Sequence, residues 1–170
     1  GIYCYELYKF FDVENIIRIG SCGSNKEEVK VLDVVLSSSS YNEGAFAYTF
    51  NNEDIHEVNA SDKLNSIIEK TAKILNLDLK IGKTACSEVF DPYMPDVTKY
   101  LARVPKDVIA SEMEAFALFY VAKMLDKQAS CLLTVSDSKF EEKVITSEER
   151  QTSLTKMIEL ALESAIRIGE

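Results

Sequence analysis

The stretch Ala129–Asp137, ASCLLTVSD, decides the fold class of this 170-residue chain. Its apolar run is almost continuous, which is typical of a strand covered on both faces, and an acid follows where the run ends. Before this stretch, segments with strand patterns alternate with segments of helical periodicity, and a further helical segment comes after it. This alternation predicts an α/β fold.

The neighbouring elements are predicted from the same two periodicities. The predicted strands are NIIRIG, VKVLDVVLSS, GAFAYTF, DLKIGKTACSEVF and VIASEM, at residues 15–20, 29–38, 44–50, 78–90 and 108–113. The predicted helices lie at residues 1–11, 61–75 and 114–125 and from about 146 to 168. Ser61 is the expected N-cap of the second helix. Loops are expected at GSCGSN, which begins at Gly20, and at the proline-containing segment 91–96.

Composition and charge exclude several classes of function. Hydrophobic residues make up 46% of the chain, and no linker, charge block or repeat divides it, so one domain is expected over residues 1–170. The formal net charge of -9 offers no cationic stripe, which argues against nucleic acids and anionic membranes as partners. Apolar runs such as AFALFYVAKML fall short of the roughly 20 residues that cross a bilayer.

The cysteines and the single histidine bear on compartment and metal binding. Cys4, Cys22, Cys86 and Cys131 lie far apart without C-x-x-C spacing, which is typical of buried, reduced thiols in a cytoplasmic protein. His56 lies in a polar segment, and no cluster of cysteines and carboxylates accompanies it in the sequence. We therefore expect no metal site.

In open α/β sheets, ligands bind beyond the carboxyl ends of the strands. At the first such end, RIGSCGS, Gly20 and Gly23 let the backbone approach an anion, while Ser21 and Arg18 offer a hydroxyl and a guanidinium. The G-x-x-G spacing by itself is more often a plain tight turn. Arg18 is a charge inside an apolar strand and needs a partner, which a ligand or a structural carboxylate could supply equally well.

At the second strand end, SEMEA, Glu112 and Glu114 flank Met113 where a strand passes into a helix. Acids are favoured in the first turn of a helix by its dipole, which is a purely structural explanation. A carboxylate at this place can also accept two hydrogen bonds from a vicinal diol, with the methionine packed on a sugar. Residue chemistry alone leaves both interpretations open.

At the third strand end, TVSDS, Asp137 follows the buried strand. It either caps a turn or, as a carboxyl in a partly desolvated place, holds and donates a proton. Thr146 and Glu149 have the pattern of a capping box, which puts Arg150 about one turn into the last helix. A lone arginine there is ordinarily a solvated surface residue.

Taken together, the motifs resemble a known family. IIRIGSCGS, ASEMEAFALFYVAKM and LLTVSDS, followed by TSEERQTSLTKMIELALESAI, are similar to the bacterial-type, hexameric purine nucleoside phosphorylases of the nucleoside phosphorylase superfamily. The resemblance keeps the order of the motifs and covers essentially the whole chain. It implies a single-domain, three-layer αβα fold with a central mixed twisted sheet.

The resemblance also implies an activity. Family members convert purine ribonucleosides or deoxyribonucleosides and inorganic phosphate into free base and the 1-phosphate of ribose or deoxyribose, in purine salvage. They need no cofactor, because inorganic phosphate is a co-substrate. A cytoplasmic homohexamer, arranged as a trimer of dimers, is the implied assembly.

The same resemblance assigns roles to individual residues. Phosphate binding is implied for Arg18, Ile19, Gly20 and Ser21. Nucleoside binding is implied for Phe90, Glu112, Met113, Glu114, Ser136 and Asp137, with Phe90 against the base and Glu114 on the ribose hydroxyls. Asp137 is the implied general acid at purine N7, and Arg150 is the implied activator that moves towards it.

The chain departs from the family pattern at its start. Relatives carry an earlier segment with a glycine and an arginine of the phosphate site, and with a histidine and an arginine that reach the neighbouring subunit. We therefore expect residues 1–170 to be an N-terminally incomplete nucleoside phosphorylase domain. A smaller departure is Ser138, which follows the acid where many relatives have histidine.

Two alternatives remain from the sequence. A methylthioadenosine or adenosylhomocysteine nucleosidase uses water in place of phosphate and carries a similar MEA and SD pattern. Arg18 argues against this hydrolase, because water needs no guanidinium to hold it. The other alternative, from a non-enzymatic class, is a truncated, catalytically inactive paralogue that binds nucleosides.

Overall fold

The computed structural model describes residues 1–141, 145–146 and 154–169, and in these ranges six strands form one mixed sheet. The strands are β1 (Asn15–Ser24), β2 (Val34–Tyr41), β3 (Glu57–Asn59), β4 (Leu79–Cys86), β5 (Val108–Glu112) and β6 (Gln128–Ser138). Their order is β3-β2-β4-β5-β1-β6, and β6 also pairs antiparallel with β2. The sheet therefore closes on itself through β2, β4, β5, β1 and β6, and β3 pairs with the last residues of β2, after those that pair with β6.

Helices cover both faces of this sheet. They are α1 (Ile2–Phe10), α2 (Phe46–Asn51), α3 (Asp62–Ile74), α4 (Val97–Leu101), α5 (Ala115–Met124) and α6 (Thr155–Arg167), with a 3-10 turn at Asp91–Tyr93. One core cluster joins α1 and α5 to the sheet, and a second joins α3 and α6 to its other face. The predicted α/β class, with helical layers on both sides of a mixed sheet, is confirmed.

The apolar run of β6 explains why the sheet is central. Cys131, Leu133 and Val135 are fully buried against the α5 layer, whereas Leu132 is fully buried against α3 and α6. Successive side chains of a strand point to opposite faces. A strand between two helical layers must therefore be apolar at both its odd-numbered and its even-numbered positions. The prediction made from ASCLLTVSD is confirmed.

Other local predictions hold as well. Ser61 caps α3, because its Oγ accepts a hydrogen bond from the backbone N–H of Leu64 at 3.2 Å. The helix predicted at residues 114–125 is α5, and the helix predicted at residues 1–11 is α1. None of the helices within the described ranges is long and apolar enough to cross a membrane.

The strand predicted at residues 44–50 is wrong, because this segment contains α2. Phe46 and Phe50 lie one helical turn apart and stack with ring centroids 6.1 Å apart. Both rings also pack edge-on against Tyr120 of α5. Aromatic residues favour strands only where the surrounding packing suits a strand, and here the contacts with α5 favour a helix.

Three boundaries also differ from the predictions. β2 begins at Val34, because Leu32 takes a left-handed φ of 77° and turns the chain before it. The expected loop after Gly20 continues as strand to Ser24, where β1 gains pairing with β5. The loop expected at 91–96 contains the 3-10 turn, and α4, which follows it, was not predicted.

Candidate active site

The predicted motifs come together around β1. β6 runs parallel to β1 with Asp137 opposite Gly23, and β5 runs antiparallel to β1 with Ser111 opposite the same glycine. Because β5 is antiparallel, the residues that follow Ser111 turn back along β1 towards Arg18. The SEMEA motif therefore lies beside the middle of β1 and not beyond its carboxyl end.

Arg18 binds Glu114 at the start of α5. Nη2 of Arg18 donates a hydrogen bond to Oε2 of Glu114, and Nη1 lies 3.5 Å from Sγ of Cys131. The Arg18 side chain is 21% exposed and the Glu114 side chain 59%, so the pair is open to solvent on the Glu114 side. The partner required by a charge inside an apolar strand is thus a carboxylate of the predicted nucleoside-binding motif.

The surroundings of Arg18 favour its charged form. Burial acts to lower the pKa of Arg18, but the neighbouring sulfur of Cys131 and the carboxyls of Glu112 and Glu114 outweigh it and raise the pKa. A guanidinium with a fixed positive charge and several donors is suited to an oxyanion such as phosphate.

Gly20 makes room for this guanidinium. A Cβ at position 20 would lie 2.7 Å from Nη1 of Arg18, which would force the guanidinium to move. Arg18 and Gly20 share one face of β1, whereas Ile19 and Ser21 are exposed and lie on the other face by strand alternation. The structure therefore brings Gly20, but not the Ser21 side chain, against Arg18.

Glu112 fixes the start of α5. Its Oε2 accepts hydrogen bonds from the backbone N–H groups of Glu114 and Ala115, each at 2.7 Å, and the residue is only 5% exposed. Its Oε1 is buried and has no hydrogen-bond partner among the described residues. Burial raises the pKa of Glu112, against the opposing effects of the two N–H groups and of Arg18.

We expect Glu112→Gln to gain stability relative to the parent protein as pH rises. Because the pKa of Glu112 is raised in the folded state, that state binds more protons than the unfolded state between the two pKa values. The stability of the parent therefore falls as pH rises through this window, whereas glutamine does not titrate. The measurement is the free energy of unfolding in urea at several pH values between about 4 and about 8.

Glu43→Gln is the matched control, with the opposite sign. Hydrogen bonds from Arg103 lower the pKa of Glu43, so Glu43 contributes stability above its unfolded pKa that is lost as pH falls. Glu43→Gln should therefore lose stability relative to the parent as pH rises. If Glu112→Gln also loses stability relative to the parent as pH rises, burial does not raise the pKa of Glu112 in the folded state.

Asp137 lies at the open end of β6. Oγ of Ser136 donates to Oδ1 of Asp137 at 2.7 Å, with the backbone oxygen of Cys22 as an alternative acceptor at 3.2 Å. Oδ2 of Asp137 lies over Gly23, where a Cβ would come within 2.9 Å. Asp137 is exposed, so the expected partial desolvation is wrong for this structure, because the facing glycine has no side chain to cover the carboxylate.

The other predicted nucleoside contacts lie on the surface. Met113 is 41% exposed, and Phe90 is 52% exposed with its ring packed edge-on against Tyr93 at 5.3 Å. Exposed apolar side chains beside charged groups are available to pack on the flat faces of a base or sugar. Arg150, the predicted activator of Asp137, lies outside the described residues.

Two described cavities lie elsewhere. One, of about 410 Å³, is lined by residues including Glu43, Tyr48, Glu53 and His56. The other, of about 170 Å³, lies between β3, α5 and the start of β6. Neither is lined by a residue predicted for the site. The side chains of Glu114, Met113, Phe90 and Asp137 are exposed, so this part of the site is open to solvent.

Comparison with known proteins decides the family. The sequence profile of the Phosphorylase superfamily matches residues 2–167. The chain belongs to the phosphorylase superfamily. A DeoD-type purine nucleoside phosphorylase of Mycoplasma genitalium is 40% identical over 165 residues, which cover 96% of this chain and 68% of that protein. The corresponding protein of Mycoplasma pneumoniae is 36% identical over 170 residues, which cover 99% of this chain and 71% of that protein.

Solved structures agree on the fold. The 5'-methylthioadenosine/S-adenosyl homocysteine nucleosidase of Campylobacter jejuni superposes with a TM-score of 0.82 over 96% of this chain and 74% of that chain. Its sequence is 19% identical, so the likeness is one of fold. The resemblance to the nucleoside phosphorylase superfamily that the motifs indicated is confirmed.

Sequence reasoning missed several contacts of this superfamily site. It did not identify Gly23 as the residue that faces Asp137, although a glycine beside an acid-bearing strand is a signal of close approach. It also passed over Lys139 and Asn25, which are hydrogen-bonded to each other at the end of β6. The signal available for Lys139 was a basic residue two positions after the predicted acid.

Proposed function

We propose that the protein is a purine nucleoside phosphorylase, a pentosyltransferase that converts purine ribonucleosides or deoxyribonucleosides and phosphate into free base and the sugar 1-phosphate. The observation that carries this proposal is the contact between Arg18, a cation suited to phosphate, and Glu114, a carboxylate suited to ribose hydroxyls. The identity to two DeoD-type purine nucleoside phosphorylases supports the same activity.

The proposed reaction divides the work between two ends of the site. Phosphate, held by Arg18 and the backbone at Gly20 and Ser21, forms a bond to C1′ of the sugar as the bond from C1′ to purine N9 breaks. Glu114 accepts hydrogen bonds from the ribose hydroxyls, and Met113 packs on the sugar. The negative charges of phosphate and Glu114 stabilise the cationic, oxocarbenium-like sugar in the transition state.

The electron pair of the broken bond goes to the purine, which therefore needs a proton. Asp137 donates that proton to N7, Ser136 orients the Asp137 carboxyl, and Phe90 packs on the base. Arg150 is proposed to move towards Asp137 and promote the transfer. No cofactor takes part, since phosphate is consumed as co-substrate.

We also propose the setting in which this activity operates. Ile2, Tyr3, Phe10 and Phe11 are 70% to 83% exposed, which supports burial of the α1 region in a homo-oligomer, proposed to be a hexamer made of three dimers. The free cysteines, three of them buried, support a reducing cytoplasm. Purine salvage is the proposed role there.

The decisive experiment is a base-release assay of the full-length protein with inosine and with adenosine, with and without phosphate. We expect free base and sugar 1-phosphate only when phosphate is present, because Arg18 has to hold the attacking anion. Chloride at matched ionic strength is the control for salt. Equal release of base without phosphate would instead identify a hydrolase, and no release under either condition would favour a nucleoside-binding paralogue.

A further inference from the structure

Glu114 is the N-cap of α5, but in the described part of the chain its carboxylate makes no capping hydrogen bond to that helix. An N-cap side chain ordinarily accepts a hydrogen bond from a backbone N–H group of the first turn, and the helix dipole attracts a negative charge to this end. The Glu114 side chain is instead 59% exposed, and its Oε2 accepts a hydrogen bond from Arg18. Another group must therefore serve the start of α5.

Glu112 serves the start of α5 in place of Glu114. Oε2 of Glu112 accepts hydrogen bonds from the N–H groups of Glu114 and Ala115, and the backbone oxygen of Glu112 accepts one from the N–H group of Ser87 at 2.8 Å. The side chain and the main chain of Glu112 are thus both held, and the residue is only 5% exposed. Its Oε1 is buried as well. Glu112 therefore offers almost no surface to a nucleoside, whereas the carboxylate of Glu114 is open to solvent.

We propose that Glu112 is a positioning residue, which holds the start of α5 so that the carboxylate of Glu114 stays free for the ribose hydroxyls. The inference rests on the proposed phosphorylase function and adds a residue that acts through Glu114, without contact with the nucleoside. In a Glu112→Ala variant, the N–H groups of Glu114 and Ala115 lose their acceptor, and Glu114 is the only acid left among residues 112–118. Its carboxylate then turns onto the first turn of α5, as N-cap side chains do, and leaves the sugar.

The test compares inosine with 2′,3′-dideoxyinosine, which lacks both ribose hydroxyls, as substrates of the full-length protein. We expect the ratio of kcat/KM for inosine to that for the dideoxy compound to fall about tenfold in Glu112→Ala, because the loss falls on the hydroxyl contacts of Glu114. A general defect of the fold lowers both values equally and leaves the ratio unchanged. Glu112→Gln should keep the ratio within about twofold of the parent, since an amide oxygen has two lone pairs and can accept both hydrogen bonds.

A double variant separates an effect through Glu114 from a direct contact with the sugar. Glu114→Ala removes the proposed acceptor of the ribose hydroxyls, so this variant should itself have a lowered ratio. Adding Glu112→Ala to Glu114→Ala should then leave the ratio where Glu114→Ala put it, because two changes that act on one contact are not additive. A further fall of the ratio in the double variant would show that Glu112 contacts the sugar itself, which contradicts the inference.

Ser61→Ala is the matched control, because it removes the cap of another helix, α3, away from the proposed site. Its ratio should equal that of the parent. An unchanged ratio in Glu112→Ala, or an equal fall in Ser61→Ala, overturns the inference. If Glu112→Ala does not fold, Glu112→Gln decides, since a tenfold fall there would show that the charge of Glu112 and not its capping bonds sets the ratio. Phosphate-dependent cleavage of inosine by the parent tests the proposed function separately, so the two failures are distinguishable.

Discussion

Asp137→Asn is expected to lower kcat for nucleoside phosphorolysis by about 100-fold to 10,000-fold, the range typical of a general acid. An amide has the shape of the carboxyl but does not deliver a proton to N7. The purine then stays unprotonated and is a poor leaving group, so the bond to C1′ breaks slowly. Oγ of Ser136 still finds an amide oxygen to bond, and Asp137 is exposed, so the variant should fold normally. The measurements are steady-state kinetics with inosine and nucleoside binding by calorimetry.

Asp91→Asn is the control for the loss of one negative charge at the base end of the site. Asp91 follows the aromatic residue Phe90 at the start of the 3-10 turn and has no proposed proton to give. We expect Asp91→Asn to keep kcat within a few-fold of the parent and Asp137→Asn to keep nucleoside affinity within a few-fold. If Asp137→Asn turns over at the parental rate, Asp137 is not the proton donor.

The parts of the fold that could be predicted are those fixed by neighbours in sequence. The run in β6 is apolar at both odd-numbered and even-numbered positions because two helical layers cover it. This apolar run is visible within nine consecutive residues, Ala129–Asp137. The cap at Ser61 is a bond between residues three apart. The segment at 44–50 was mispredicted because its state depends on contacts with Tyr120, which lies far away in sequence.

The same division applies to the candidate site. The sequence required a partner for Arg18 but could not choose between a ligand and a carboxylate, since the partner, Glu114, lies 96 residues away. The exposure of Asp137 depends on its register with Gly23, which periodicity does not give. The hydrogen bond between Lys139 and Asn25 likewise joins residues that lie far apart in sequence. The sequence pattern therefore identified the candidate site residues, whereas the pairing of the strands determines which residues each of them contacts.

The contact between Arg18 and Glu114 also bears on how substrates would bind. The cation and the carboxylate bind each other, which keeps two charged groups from standing unpaired at the edge of the core. Phosphate on Arg18 and ribose on Glu114 would each compete with this bond. Each substrate would therefore free the group that the other needs, and the two should bind with mutual assistance.

Arg18→Gln is expected to raise KM for phosphate about 100-fold, because a charge-assisted and potentially bidentate contact is replaced by a neutral amide. KM for the nucleoside should change less, because Glu114 remains and loses only its ion-pair partner. The phosphate KM of Arg18→Lys should lie between that of the parent and that of Arg18→Gln, since an ammonium keeps the charge but not the planar pair of donors. The measurement is initial rate as a function of phosphate at saturating inosine, repeated as a function of inosine at saturating phosphate.

Arg103→Gln is the matched control for the loss of an arginine bound to a glutamate. Nε and Nη2 of Arg103 donate to the two carboxylate oxygens of Glu43, each at 2.8 Å, and neither residue belongs to the proposed site. Arg103→Gln should leave both KM values unchanged. A phosphate KM that is equal in Arg18→Gln and the parent would make the bond to Glu114 the whole role of Arg18. The guanidinium would then be a structural counter-charge for α5, and the attacking anion would have to be held by other residues.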